Sequence, residues 1–486
     1  MAGIGNRAAI LTLSRMANYG LMLISPIILV RLLSIEQFGR YREFLLYASV
    51  LQSIAVFSIN DSLLYCIPAH PASRWRTVRQ TAVLIAASSL ITIAALSVLD
   101  RASGGRVVGS LLLPICAYTL FCANLDFWDF FWVATDRPGL LFLYTSCRLA
   151  ARVTVAIVTA ALTHDVRAII WALIALEGLR ALGALVIMLC IERGAAEPPL
   201  PDPWREQLRY CVPSGSASVL AMLNSNLSSL IVTKALGAVA FAQYTIGRYG
   251  EPVVLTLRNS VSSVVLPEMV ERDRNSRSDS LGLWRRATVV NTILLFPVVV
   301  IVLRYARPLI ETVFGRDYAP AALVLQIYML SVVRQCLDFA PALRALNRTR
   351  PLVASNVAAI AVCGLMLAIL VPLDGVAGAM MAYVIGSVME AVWLAASTRR
   401  HFRVSLGELI PWGSIARVAV AAAIAAGVLA TPAWRDTFGP GGMALGSIAY
   451  VALFALLLLA LRVPEAQSLL LWVRRLVPAL APSRKA

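Results

Sequence analysis

The chain alternates long apolar runs with short polar stretches, and the runs have the length that crosses a bilayer as a helix, about 18–25 residues. Fourteen spans are predicted, at about 9–31, 44–65, 79–99, 108–133, 139–162, 168–191, 210–234, 239–266, 284–304, 319–343, 352–372, 376–398, 412–431 and 441–462. The clearest boundary is the Pro-rich polar stretch from Glu192 to Gln207, whose composition suits a linker. The predicted fold class is an all-α polytopic membrane protein. About 14 transmembrane helices form two six-helix lobes in parallel repeat, plus a C-terminal helix pair. The first lobe is expected at 1–191, a cytoplasmic linker at 192–209, the second lobe at 210–400 and the last pair at 401–463. An amphipathic basic cytoplasmic tail follows at 464–486; Leu469, Leu470, Trp472, Val473 and Leu476 set against Arg474 and Arg475 suit an interfacial helix.

The doubling is read from two stretches. Pro26 to Tyr41 ends an apolar run in Arg31 and reaches a Tyr ten residues later; a second apolar run closes on Pro68. Leu230 to Tyr244 does the same around Lys234, and its following run closes on Pro267. Each Pro precedes a basic patch: Arg74, Arg76 and Arg79 in one copy, Arg272, Arg274 and Arg277 in the other. One four-residue gap aligns both sets of landmarks, which marks a repeated helical unit. An even number of spans separates the copies, so both halves enter the membrane in the same direction, as in two-lobed transporters.

Composition excludes a soluble domain. Apolar residues make up 59% and charged ones 14%, against about 25% charged in soluble domains. The net charge of +17 does not point to nucleic acid, because the arginines gather in loops after even-numbered spans. That bias places both termini in the cytoplasm of a bacterial inner membrane. The eight cysteines lack a C-x-x-C and the three histidines are scattered, so no metal site is expected. No cofactor is expected either. Without a P-loop, a large extramembrane loop or a catalytic constellation, the chain reads as a transporter driven by an ion or substrate gradient, not as an enzyme.

Charges inside the spans carry the chemistry, because each is costly in hydrocarbon and faces a cavity or a partner. Glu177 with Arg180, Arg248 with Glu251, and Arg334 with Asp338 can pair along one helix face. Arg15, Asp61, Arg148, Arg152, Arg258 and Glu390 have no such local partner. Arg148 and Arg152 share one face, and either line an anion-attracting cavity or pair with Asp61 or Asp126 from a neighbouring helix. In Asn124 to Trp132, Asp126 and Asp129 share a face flanked by Trp128 and Trp132. That arrangement suits either sugar binding or an interfacial aromatic belt.

The pattern P-x-x-L-x-R-L-L-x-x-x-x-F-G-x-Y from Pro26 to Tyr41 resembles the opening signature of the oligosaccharide-lipid (O-antigen-type) flippases of the multidrug/oligosaccharidyl-lipid/polysaccharide exporter superfamily. Further landmarks agree: Tyr210 to Pro213, Leu236 to Tyr244, Leu266-Pro267, Val313 to Ala322 and Gly375 to Ala379. The resemblance covers about 10–400. It implies two six-helix lobes around a cationic cavity, with a last helix pair outside. By alternating access, an undecaprenyl-diphosphate-linked oligosaccharide would pass to the periplasmic leaflet for polysaccharide or O-antigen synthesis. The lipid bilayer and possible polysaccharide polymerase machinery would be its partners, with no nucleic acid. It further implies that Arg15, Arg31, Arg148, Arg152, Arg248 and Arg258 contact diphosphate or anionic sugar, guanidinium being suited by its fixed donors. Asp126, Asp129 and Trp128 are the candidates for the sugar. Many relatives carry an Asp about nine residues before the glycine of Leu236-Gly237, where this chain has Ser228. Ion coupling is therefore expected at Asp61, Asp338 or Glu390. The alternatives are a cation-coupled multidrug antiporter or lipid II flippase of the same superfamily, and a non-transporting scaffold of a polysaccharide assembly complex.

Overall fold

A computed structural model describes residues 20, 23–124, 126–192, 203–275, 277–345, 350–430 and 439–467. Those residues are nearly all helical and contain no strand, as hydrocarbon demands: a backbone without water must satisfy its own amides and carbonyls. The helices are α1 Leu23–Leu32, α2 Ile35–Val56, α3 Leu63–Ala69, α4 Arg74–Ala102, α5 Leu112–Ala123, α6 Trp128–Ala134, α7 Pro138–Thr163 and α8 Val166–Glu192. There follow α9 Pro203–Gly247, α10 Glu251–Asn275, α11 Arg277–Val313, α12 Ala321–Gln335, α13 Ala340–Ala345, α14 Arg350–Phe402, α15 Leu406–Leu409, α16 Trp412–Ala430 and α17 Gly439–Ala460.

By length and hydropathy the described residues hold ten membrane-span candidates, or eleven with the bent pair Ile35–Val56 and Asn60–Ala69 counted as one span. The expected fourteen are not reached in that count for two reasons. Most of the first expected span lies outside the described residues. Two candidates, Trp204–Arg272 with 69 residues and Arg350–Phe402 with 53, each cover two expected spans. At 1.5 Å per residue, about 20 residues already cross the hydrocarbon, and both stretches bend at a glycine. Gly237 has φ 81° and Gly375 has φ 55°, a backbone that glycine adopts without steric penalty. The expected tail helix at 468–480 lies outside the described residues. So does most of the expected linker; its described end, 203–209, begins α9.

The chain divides into two compact units, Met1–Ala242 and Gln243–Ala486. The first holds α1 to α8 and most of α9. One core of this unit gathers Ala55, Ile59, Leu63, Val78, Ile85 and the aromatics Phe127, Trp128 and Phe131. The second unit has one core around Trp284, Phe339 and Leu409. Another joins Val289 and Ile293 of α11 to Val418, Ala421, Ala422 and Ala425 of α16 and to Tyr450 and Phe454 of α17. Within that core α16 contributes mainly small residues, the usual way helices approach closely where lipid gives no hydrophobic drive, and α17 adds the aromatics Tyr450 and Phe454.

Four predicted spans are broken. The second bends by 47° between α2 and the 3₁₀ turn before α3. The fourth stops at Ala123 and resumes at Trp128, the eighth breaks between Gly247 and Glu251, and the tenth between Gln335 and Ala340. A shared helix face for Asp126 and Asp129 is thereby corrected: Asp126 sits in the break and only Asp129 is helical.

The two arms of α14 fold back on one another. Gly378, Ala382 and Gly386 are buried at four-residue spacing, and a Cβ at Gly386 would lie 2.8 Å from the Cys363 Cβ. One at Gly378 would collide with the Leu370 carbonyl. Gly378→Val should therefore lower stability by about 1–3 kcal/mol through overpacking. Gly413→Ala, with nothing within 4 Å of the added carbon, should leave it unchanged or slightly raised. Thermal unfolding of both variants in detergent checks the difference.

Candidate functional site

In the first unit, three arginines and three carboxylates from four elements meet. Arg148 of α7 binds Asp126 in the α5–α6 break and, at 3.0 Å, Asp129 of α6. Arg180 of α8 lies 3.3 Å from Asp126 and 2.7 Å from Glu177. Arg152 of α7 reaches Glu177 at 3.2 Å. The formal charges cancel, so the cluster is a neutral network rather than a bare cationic patch. Arg148 and Arg152 thus take the alternative of pairing with carboxylates from neighbouring helices, Asp126 among them.

Local structure explains why the network forms here. Ending α5 inside the membrane leaves carbonyls without intrahelical partners. Arg180 donates to two of them, Phe121 O at 2.9 Å and Cys122 O at 3.0 Å, while Asn124 Nδ2 donates to Leu120 O at 2.7 Å. A cation at a helix C-terminus is also favoured by the helix dipole. Arg180 and Glu177 look like a self-contained pair three residues apart in sequence, but in the fold they join α5, α7 and α8. The signal that could have found them is the Asn124 to Trp132 segment, whose acids need cationic partners.

Arg152 differs from its neighbours. Its side chain is the most exposed of the three arginines, 32% against 24% for Arg148 and 13% for Arg180. The ion pair to Glu177 uses its Nε, and the guanidinium carbon lies 5.7 Å from the Tyr118 ring centre. Arg148, Arg152, Tyr144, Glu177 and Arg180 line a cleft of about 250 Å³ between α7 and α8. Trp128 packs among Phe127, Phe131 and Trp132 and is 5% exposed. As placed, its ring belongs to the core.

The remaining candidates are dispersed. Arg15 lies outside the described residues, and Arg31 is exposed at the end of α1. Asp61 is in the bend after α2 and makes no side-chain hydrogen bond or ion pair among the described residues. In the second unit Arg248 pairs with Glu251 at 2.8 Å and stacks over Tyr383, 4.5 Å from its centre. The expected pairing of Arg334 with Asp338 does not occur, because α12 ends at Gln335 and the one-turn spacing is lost. Arg334 instead pairs with Glu390 at 2.6 Å and donates to Ser387 O at 2.7 Å. Asp338 faces Arg258 at 3.6 Å.

Among solved structures, the fold matches the lipid II flippase MurJ in an inward closed conformation. The TM-score is 0.68 at 13% identity, over 94% of this chain and 99% of that one. The chain has the fold of the multidrug/oligosaccharidyl-lipid/polysaccharide exporter superfamily. An inward-facing multidrug resistance MATE family transporter of that superfamily shares it with a TM-score of 0.56 and 14% identity, covering 82% of this chain and 98% of that one. A superfamily transporter from Pyrococcus furiosus, described as having a binding pocket of reverse polarity, gives 0.50 at 12% identity, over 82% and 95%. Residues 139–323 match the family model described as polysaccharide biosynthesis protein, a stretch that includes Arg148, Arg152, Glu177 and Arg180. No curated protein matches the chain in sequence. This fold agrees with the exporter resemblance of the motifs, and its many long apolar helices mark a multi-pass membrane protein.

Glu177 is 2% exposed and holds two arginines. Glu177→Ala should cost about 2–3 kcal/mol, the scale of lost hydrogen bonds to a charged group, because Arg152 loses its ion pair while Arg180 keeps Asp126 and two carbonyls. Glu177→Ala combined with Arg180→Ala should cost less than the sum of the two single changes. Thermal unfolding of the purified variants in detergent, analysed as a double-mutant cycle, measures the coupling.

Proposed function

We propose that the protein is a flippase that carries an undecaprenyl-diphosphate-linked oligosaccharide from the cytoplasmic to the periplasmic leaflet by alternating access, for surface polysaccharide synthesis. The observation that carries this reading is the arginine-lined cleft of about 250 Å³, inside the stretch that matches the polysaccharide biosynthesis family. The likeness in fold to a lipid II flippase supports a lipid-linked cargo. In this reading the chain lies in the bacterial inner membrane with both termini cytoplasmic, as its loop arginines favour.

The residues divide the work. Arg148 and Arg180 each meet two carboxylates and hold α5 to α8 together. Arg152 keeps its two terminal nitrogens for a ligand and is the arginine that meets a diphosphate or acidic sugar oxygen, through charge-assisted hydrogen bonds. Asp126 and Asp129 serve by fixing Arg148. Arg31, Arg248 and Arg258 act on the same anionic cargo at other stages, and an ion gradient acting at Asp61, Asp338 or Glu390 drives the cycle.

Flipping of a diphosphate-linked glycan into the opposite leaflet of proteoliposomes tests the proposal. Arg152→Ala should slow flipping at least about tenfold, the scale of one hydrogen bond to a charged group, with only a small drop in melting temperature because Arg180 still holds Glu177. Arg148→Ala/Arg152→Ala should abolish flipping and also lower the melting temperature. Equal rates in wild type and Arg152→Ala would remove the cleft from the site. Export of cationic dyes with no glycan movement would favour the multidrug antiporter.

A further inference from the structure

With Trp128 buried in the core, the sugar part of the proposed cargo needs another aromatic ring to stack on. The first unit offers one at the bend between α2 and α3, where the first arm of α9 lies against it. Three contacts run in opposite sense along the two segments. His70 Nε2 and Glu206 Oε2 are 3.0 Å apart, the Tyr65 and Tyr210 ring centres 5.9 Å, and the Ser58 and Ser218 hydroxyls 2.9 Å. Gln207, 1% exposed, donates to Ser62 Oγ at 2.7 Å and Thr81 Oγ1 at 2.8 Å. A Cβ at Gly215 would lie 2.5 Å from the Phe57 carbonyl oxygen, so glycine lets α9 come close. These contacts hold Tyr210 in place beside Tyr65.

The two rings are parallel to within 6°, and Tyr65 is 51% exposed. Asp61 lies four residues before Tyr65 and near enough to Tyr210 to act on it electrostatically. Its carboxylate has no hydrogen bond or ion pair among the described residues, and neither tyrosine hydroxyl has a hydrogen bond there. Helical spacing puts Ser214, Ser218 and Ser225 on the same face of α9 as Tyr210; Ser214 is half-buried, and Ser218 and Ser225 are exposed. Polar side chains that stay open within a membrane span face a water-filled space. An open aromatic ring, free hydroxyls and a carboxylate without a cation thus share one wet surface.

That chemistry fits a sugar. A pyranose has an apolar C–H face, which gains by covering an aromatic ring, and hydroxyls that donate to a carboxylate in charge-assisted hydrogen bonds. A carboxylate without a cation partner repels a phosphate, so the diphosphate stays with the arginines. We propose that Tyr65, Tyr210 and Asp61 bind one pyranose of the glycan, its face on Tyr65 and a hydroxyl on Asp61. This rests on the flippase reading, in whose topology the site is at the cytoplasmic ends of the second and seventh predicted spans, where the glycan is taken up. Asp61 then serves the sugar, and ion coupling falls to Asp338 or Glu390.

Calorimetric titration of the purified full-length protein in detergent compares two probes, farnesyl diphosphate alone and farnesyl diphosphate carrying one N-acetylglucosamine. Stacking requires a pyranose face rather than one pattern of hydroxyls, so a single sugar is enough. The sugar should tighten binding at least about tenfold, the scale of one hydrogen bond to a charged group. Tyr65→Ala and Asp61→Asn should each remove most of that gain and leave the affinity for farnesyl diphosphate as it was. Tyr65→Phe, which keeps the ring, should retain most of it. Melting temperatures of the three variants confirm folding, and the exposure of Tyr65 makes its loss a mild change. Equal affinity for the two probes, or a gain undiminished in Tyr65→Ala, would reduce the tyrosines to an interfacial aromatic pair and overturn the proposal. A gain undiminished in Asp61→Asn would overturn it equally. Binding of neither probe would remove the flippase reading and the sugar site together, whereas loss of the sugar gain alone leaves the flippase reading standing.

Discussion

Stopping a helix inside hydrocarbon leaves backbone groups that water cannot reach, and something within the protein must answer them. Much of the chemistry in this chain follows from that constraint. Where α5 ends, Arg180 covers two carbonyls, and the carboxylates that balance it draw in Arg148 and Arg152. Past α12, Asp338 accepts the Ala340 amide at 3.3 Å while facing Arg258. Charges that look like isolated costs along the sequence are the groups that make broken helices tolerable.

The breaks recur in a pattern. They fall in the second and fourth predicted spans of the first half and in the second and fourth of the second half, the eighth and tenth of the chain. The same device carries different residues in each place: Asp61 in one, Asp126 in the next, Arg248 in the third and Asp338 in the fourth. Breaks at matching places in the two halves can thus hold an arginine-rich cleft in one unit and a small cavity lined by Asp338 in the other.

The helical character and the membrane class were legible in the sequence, because a run of apolar residues of bilayer length has one stable outcome. Helix breaks were not. Hydropathy averages over 18 or more residues and passes smoothly across Asn124 to Phe127 or Cys336 to Phe339, where neither Gly nor Pro interrupts the chain. Pairing rules that assume a continuous helix then choose wrong partners, as with Arg334, which takes Glu390 from α14 instead of Asp338. Rules that need only a local pair hold across a break when the loop keeps the side chains close, as with Arg248 and Glu251. That Arg148 and Arg152 require a partner or a cavity was visible from their charge and spacing; the neutralising carboxylates around them depend on four elements that meet only in the fold.

The attachment of the last helix pair has a mechanical consequence. Arg285 near the start of α11 donates to Leu409 O at 3.4 Å, just before α16, and Arg304, nineteen residues further along, donates to Leu429 O at 2.9 Å near the end of α16. Two rivets almost a bilayer apart, about 28 Å at 1.5 Å per residue, leave α16 no freedom to slide or roll on α11 unless a rivet opens. The C-terminal pair is thereby a passenger of the second unit, and a spectroscopic label on α17 would report the motion of α11.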